Sequence, residues 1–196
     1  MSASELIPID QILPGKLPII TLIGKPIFPG IFTPIMVGKE PDIQIVEQAI
    51  SADGMIGLVL QKDDSDEPSS NNLFHVGTAA KIIKKINLPD GGINIFISTF
   101  KRFKIKKFIS KEPPIITAVS YLDDENYDND EVKALTRALI SEMKQLSENN
   151  PLFSEEMRLN MINIDNPGKI ADFITSILNI EKKDQQDILE TLDVRE

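Results

Sequence analysis

The residues of this chain that could do chemistry are few in kind. The sequence contains no cysteine and a single histidine, His75. Disulfides, zinc–thiolate sites, cysteine nucleophiles and multi-histidine metal sites are therefore excluded. The phosphate-binding patterns GxxxxGK and GxGxxG are missing, as is the GxSxG pattern of serine hydrolases. We predict that this chain has no catalytic, cofactor-binding or metal-binding residues.

A basic run, KRFKIKKFISK at residues 101–111, has aromatic side chains between its charges. On a β-barrel, aromatic rings among lysines can stack nucleic-acid bases. The residues of this candidate basic face are Lys101, Arg102, Lys104, Lys106 and Lys107. The interpretation that we favour is that Phe103, Ile105 and Phe108 point inward, while the lysines are solvated and protect an edge strand. The net charge of −9 also disfavours general nucleic-acid binding, because phosphates attract positively charged surfaces.

An apolar run, KPIFPGIFTPIMVGKE at residues 25–40, is interrupted by prolines and glycines and cannot form one helix. Part of it must be buried as core. Strand ends broken by proline usually lie at a rim, however, and an exposed apolar patch often marks a protein-binding site. Methionine suits such a site because its flexible side chain adapts to different partners. The candidate contact residues are Phe28, Ile31, Phe32 and Met36.

The sequence changes character near residue 123. A tail at residues 1–14 precedes a β-rich part at residues 15–122, with one helix that begins near Glu40. Short strands are predicted at residues 17–23, 55–61, 76–87, 93–99, 103–110 and 115–121. LPDGG at residues 88–92 predicts a hairpin turn between two of them. An acidic linker at residues 123–130 then leads into a helical part at residues 131–196.

The helical part has a clear 3.6-residue apolar period. One helix is predicted around Val132 to Leu146, a short one after Ser154, and one that Asn166 caps. A last helix, which carries Ile188, runs into DVRE without a stop signal, and this favours a piece of a longer protein. The predicted fold class is α+β. No apolar run reaches the length of a membrane span, and we expect a cytoplasmic protein without a membrane partner.

Four segments resemble the Lon protease N-terminal domain. LPIITLIGKPIFPGIFTPIMVGKE at residues 17–40 resembles the opening of that domain, in the residues Phe28, Pro29, Gly30, Pro34, Val37, Gly38 and Lys39. LVLQKD at residues 58–63 looks like its next strand. VGTAAKIIKKINLPDGGINIFISTFKRFKI at residues 76–105 matches without a gap, and ILETLDVRE at residues 188–196 looks like the entry to a long helix. The chain departs from the pattern at Thr21, Gly24 and Thr99, which concern local turns.

The resemblance implies a PUA-like β pseudo-barrel followed by a small helical bundle, placed before the AAA+ motor of an ATP-dependent serine protease. The resemblance also implies a cytoplasmic hexamer. In such enzymes, the N-terminal domain helps to recognise unfolded or misfolded protein substrates. The Walker motifs, the catalytic pair, ATP and Mg²⁺ would belong to later domains. The resemblance therefore implies a domain that binds exposed apolar segments and has no catalysis of its own. The alternatives are a stand-alone adaptor of the same fold and a nucleic-acid-binding β-barrel that uses residues 101–111.

Overall fold

Six β-strands and four α-helices make up the computed structural model, which describes residues 13–63, 65, 69–89, 91–126, 128–148 and 166–196. The strands are β1 (Lys16–Leu22), β2 (Phe32–Val37), β3 (Met55–Leu60), β4 (Val76–Asn87), β5 (Ile93–Ser110) and β6 (Ile116–Leu122). The helices are α1 (Glu40–Ser51), α2 (Asp130–Glu148), α3 (Pro167–Ile177) and α4 (Lys182–Glu190). A β-rich part with one helix thus precedes a helical part, and the predicted α+β class is confirmed.

The sheet closes on itself because β5 is long enough to pair on both sides. The strand order is β2-β5-β4-β3-β1-β6, and β5 also pairs with β6. The first half of β5 pairs with β2, and its second half pairs with β6. Strands β5, β4, β3, β1 and β6 therefore form a closed ring. Within the described part of the chain, β2 lies outside this ring as an edge strand.

β5 corrects one prediction, because residues 93–99 and 103–110 were expected to be separate strands. The structure has one continuous strand with an irregularity in its pairing to β4. Thr99 lies opposite Ala80, whereas Lys101 lies opposite Ala79, so Phe100 is an extra residue. Such a bulge bends a strand without ending its ladder, which a sequence pattern reads as a break. The predicted hairpin turn is confirmed, since the Leu88 N–H donates to the Gly92 carbonyl over 2.8 Å.

Two apolar clusters fill the β-rich part. The first lies between α1 and the sheet, where Ile45 and Val46 of α1 are fully buried. The second fills the ring and centres on Phe103, which has no exposed surface. Gly77 makes room for the Phe103 side chain and for strand β3. A Cβ at Gly77 would lie 3.1 Å from Phe103 Cζ and 2.3 Å from the Leu58 carbonyl oxygen. The interpretation that Phe103 points inward is thereby confirmed.

Helix α3 begins at a side-chain cap and packs against α2. The Asn166 side chain accepts a hydrogen bond from the Lys169 N–H over 3.1 Å, which confirms the predicted cap of α3. Met143 of α2 packs against Ile170 and Ile174 of α3. The short helix predicted after residue 154 falls outside the described residues. Among those that are described, no helix has the length and apolar character needed to cross a membrane.

The sequence predicted that the last helix continues through the final residues, but α4 ends before them. The helix ends at Glu190. The chain after it pairs with the segment that follows β6: the Glu125 N–H donates to the Leu192 carbonyl over 2.7 Å, and the Val194 N–H donates to the Glu125 carbonyl over 3.1 Å. These main-chain bonds to a distant segment stop the helix where the local sequence has no stop signal.

Candidate functional site

The loop between β1 and β2 is fixed by the buried side chain of Thr99. The Thr99 hydroxyl donates to the Phe28 carbonyl over 2.7 Å and accepts a hydrogen bond from the Ile31 N–H over 2.8 Å. The Gly30 N–H donates to the Thr99 carbonyl over 3.0 Å, and Gly30 has a φ of 79°, which favours glycine. These bonds fix the turn through which the chain enters β2.

Phe28 and Ile31 lie on the inner side of this turn. Phe28 has no exposed surface and packs with Val76 of β4 and Leu189 of α4. Ile31 is half-buried against the same cluster. The prediction that Phe28 is a contact residue is therefore wrong, because α4 from the far end of the chain covers it. These two residues join the β-rich part to the helical part.

Phe32 and Met36 lie on the outer side and are the most exposed large apolar side chains of the described residues. Their exposed fractions are 63% and 76%. They alternate along β2 with inward side chains, as the two-residue period of a strand requires. The Phe32 ring stacks on Phe96 of β5 with ring centroids 6.1 Å apart. Pro34 lies between them and opposite Phe96. We call Phe32, Pro34, Met36 and Phe96 the apolar face.

The apolar face continues along β5 into a groove. Ser98 lies opposite Phe32 in the ladder, and Phe100 follows Ser98 at the same side. Phe100 and Ile83 line a groove of about 430 Å³, and both side chains are exposed, Ile83 by 56%. A soluble protein rarely concentrates this many exposed large apolar side chains without a partner for them. Ile83 and Phe100 were not predicted, because a bulge at each position breaks the period that would reveal them.

The candidate basic face is divided by the structure. Lys104, Lys106 and Lys107 are exposed. Lys101 is only partly exposed and pairs with the Asp123 carboxylate over 2.8 Å. Arg102 is 6% exposed and is corrected from a surface cation to a buried one. The reason is the alternation of β5, in which Arg102 points towards the helical part.

Strand order adds a lysine that the sequence did not reveal. Lys16 of β1 and Lys107 of β5 both lie opposite Ala118 of the intervening β6. Lys104 lies opposite Ser120 on the same strand. We define the basic face of the structure as Lys16, Lys104 and Lys107. They lie on the same side of the sheet as the small Ala118 and Ser120 side chains of β6.

Arg102 joins the two parts of the protein. Its guanidinium makes a bidentate pair with the Asp172 carboxylate of α3. Its Nε donates to the Leu189 carbonyl over 3.0 Å, and Asp124 accepts a further bond over 3.3 Å. Burial raises the pKa of Asp172 to about 6, against the opposing effect of the Arg102 charge. A buried ion pair of this kind fixes the orientation of α3 and α4 on the ring.

The described residues thus form a closed ring of strands with an exposed apolar edge strand, and this ring packs against a helical part. The family model described as the ATP-dependent protease La (LON) substrate-binding domain matches residues 16–196. The chain belongs to this family, and the resemblance found in the sequence is confirmed.

Curated relatives and solved structures agree with this assignment. The chain is 59% identical over 194 residues to a Lon protease of Treponema pallidum (strain Nichols), covering 98% of this chain and 22% of the relative. It is 43% identical over 190 residues to a Lon protease of Leptospira interrogans, covering 96% and 22%. The chain therefore spans less than a quarter of the length of these relatives.

Solved structures of Lon N-terminal domains share the fold. The N-terminal domain of a Mycobacterium avium complex Lon protease superposes with a TM-score of 0.74 at 19% identity, covering 92% of each chain. A Lon N-terminal domain protein from Xanthomonas campestris gives a TM-score of 0.64 at 15% identity, covering 91% of this chain and 92% of the other. At these identities the likeness is one of fold.

Proposed function

We propose that this chain captures exposed apolar segments of unfolded or misfolded proteins through the apolar face, and that it does so without catalysis of its own. The exposure of Phe32 and Met36 on rigid strands carries the proposal. The backbone of paired strands is already ordered, so binding does not have to fix the main chain that carries these side chains. The family's description as a substrate-binding domain supports the proposal. Ile31 contributes only through the small part of its surface that remains exposed.

The apolar face binds through side chains rather than by adding a strand to β2. The Thr99 N–H donates to the Ile31 carbonyl over 2.9 Å, and ladder bonds alternate along an antiparallel pair. The main-chain groups of Phe32, Pro34 and Met36 therefore face the outer edge of β2. Pro34 has no N–H to offer there, and proline on an edge strand blocks strand addition. Recognition is then tolerant of sequence, as capture of many different substrates requires.

In the longer proteins that this chain resembles, we propose that weak binding by each copy is made effective by assembly. Six copies in a cytoplasmic hexamer would raise the local concentration of binding sites and increase avidity without any new contact. ATP, Mg²⁺ and the proteolytic residues would act in other parts of such a protein. A stand-alone adaptor would use the same face, and full-length sequence separates the two cases.

The experiment is a titration of the labelled chain with a permanently unfolded polypeptide, followed by amide shifts in NMR spectra. We expect shifts that cluster at Phe32, Met36 and Phe96. The variant Phe32→Ser with Met36→Ser should weaken binding at least several-fold. Because both side chains are exposed, the variant should still unfold cooperatively with a loss of stability of about 1 kcal/mol or less.

Ile109→Ser is the matched control, because Ile109 is 49% exposed on β5 but lies away from the apolar face. It should bind the polypeptide as the parent chain does. Equal weakening by Ile109→Ser would show that binding is a general property of exposed apolar groups. Unchanged binding by the Phe32 and Met36 variant would exclude the apolar face as the site.

Nucleic acid is a second candidate ligand, favoured by the placement of Lys16, Lys104 and Lys107 on one face. Lysines in such a row can follow a phosphate backbone. The overall charge of −9 opposes this binding, so we propose that it is weak and sensitive to salt.

A further inference from the structure

Two lysines border the apolar face on the strand beyond β5. In the β4–β5 ladder, Lys81 lies opposite Ser98 and Lys84 lies opposite Phe96. Ser98 and Phe96 in turn lie opposite Phe32 and Pro34 of β2. Directly opposed residues share one face of a sheet, so each row crosses from an apolar side chain on β2 to a lysine on β4.

Both lysines are available to a ligand. Lys81 and Lys84 are exposed, and neither makes an ion pair with a described residue of the chain. Their neighbour Lys85 points to the opposite side of the sheet, where it pairs with Glu47 of α1. Asp53 also lines the groove beside Lys81 and adds one negative charge there; its carboxylate accepts the Met55 N–H over 2.9 Å, which directs one oxygen to the main chain. On a chain with a net charge of −9, these two cations make a local positive border.

The dimensions of the sheet set the spacing that a ligand would need. Neighbouring strands lie about 4.8 Å apart, so the lysine strand β4 is about 10 Å from the apolar strand β2. An extended segment advances about 3.3 Å per residue. Successive side chains of an extended segment point to opposite sides, so only residues an even number of positions apart face the sheet together. A side chain roughly two or four residues from the one that covers Pro34 therefore comes within reach of the long Lys84 side chain.

We infer that the apolar face selects extended segments in which an aspartate or glutamate lies roughly two or four residues from an aromatic or large aliphatic residue. This inference rests on the proposed function and names the class of segment that the same face prefers. An apolar contact alone would accept any hydrophobic segment. The lysine border adds a preference for acidic neighbours and rejects basic ones, because like charges brought together on a surface cost binding energy.

The test uses the full chain and fluorescent peptides with one apolar core, which carry aspartate, asparagine or lysine at roughly two and four residues from the aromatic anchor. We expect the aspartate peptide to bind about 3- to 10-fold more tightly than the lysine peptide, the range of two exposed charge contacts. High salt should reduce this ratio. Lys81→Gln with Lys84→Gln should abolish it while leaving the asparagine peptide unaffected. Lys104→Gln with Lys107→Gln is the control and should keep the ratio.

The outcomes separate this inference from the proposal on which it rests. If all three peptides bind equally and Phe32→Ser with Met36→Ser weakens all three, the charge preference is refuted and apolar capture stands. If no peptide binds, both fail. If single-stranded DNA displaces the aspartate peptide and shifts the amides of Lys81 and Lys84, the border serves phosphates and the inference is overturned.

Discussion

Replacing Asp172 with alanine tests whether the buried ion pair fixes the helical part to the barrel. The change removes both oxygens that Arg102 contacts in its bidentate pair. The Arg102 side chain is only 7% exposed, so bulk water compensates poorly for the loss of those oxygens. Its guanidinium keeps the Leu189 carbonyl and the longer bond to Asp124. Breaking one partner of a buried pair costs about 3–5 kcal/mol, because a charge stays buried without compensation.

One smaller effect of opposite sign enters the expected change in the free energy of unfolding. Alanine favours a helix over aspartate by about 0.5 kcal/mol, which offsets a small part of the loss in α3. The net loss should therefore be about 2.5–4.5 kcal/mol. With a urea dependence of about 2–3 kcal/mol per molar, the unfolding midpoint should fall by about 1–2 M. Circular dichroism in urea measures the midpoint, and amide hydrogen exchange shows whether α3 and α4 open first.

Asp123→Ala is a matched control, because Asp123 pairs with Lys101, the residue before Arg102. Asp123 is 73% exposed and pairs with Lys101 over 2.8 Å. An exposed pair of this kind contributes less than about 1 kcal/mol. If Asp172→Ala destabilises the protein no more than Asp123→Ala does, the ion pair is not what holds the two parts together. In the combined variant Arg102→Met with Asp172→Leu, stability should recover, since no charge remains buried.

Three further predictions concern the packing at Gly77, the pKa of Asp172 and the lysines of the basic face. Gly77→Ala should lower the free energy of unfolding by about 2 kcal/mol or more, because the new Cβ would lie 2.3 Å from a main-chain oxygen of β3. Gly38→Ala is the control and should be nearly neutral in the same urea assay, since no atom lies within 4 Å of its Cβ position. The raised pKa of Asp172 means that the folded chain binds a proton more tightly than the unfolded chain between about pH 4 and 6, so its contribution to stability is present at low pH and is lost as pH rises. The free energy of unfolding of the parent minus that of Asp172→Asn should therefore fall by up to about 3 kcal/mol as pH rises through that window in urea titrations, and a rise of this difference would contradict the raised pKa. Lys104→Glu with Lys107→Glu should weaken binding of single-stranded DNA and reduce the salt slope by about 0.7 per lost contact, and an unchanged slope in fluorescence titrations would exclude the basic face.

Much of the local structure could be predicted because its causes are local. The turn at residues 88–92 depends on its own glycines and proline, and the cap of α3 depends on Asn166 and its next residues. The strand at residues 76–87 depends on its β-branched and apolar residues and on the turn signal that follows them. β5 could not be read as one strand, because the bulge at Phe100 is allowed only by the pairing with β4.

The sequence alone determined the α+β class, the resemblance to the Lon N-terminal domain and the short list of apolar candidates. Tertiary structure decided which candidates face water: Phe28 is covered by Leu189 of α4, while nothing among the described residues covers Met36. It also turned Arg102 from a surface cation into the partner of Asp172. The physical reason is that exposure is a property of pairs of segments. Strand alternation sets which side chains share a face, but only the packing of distant elements decides which face is buried.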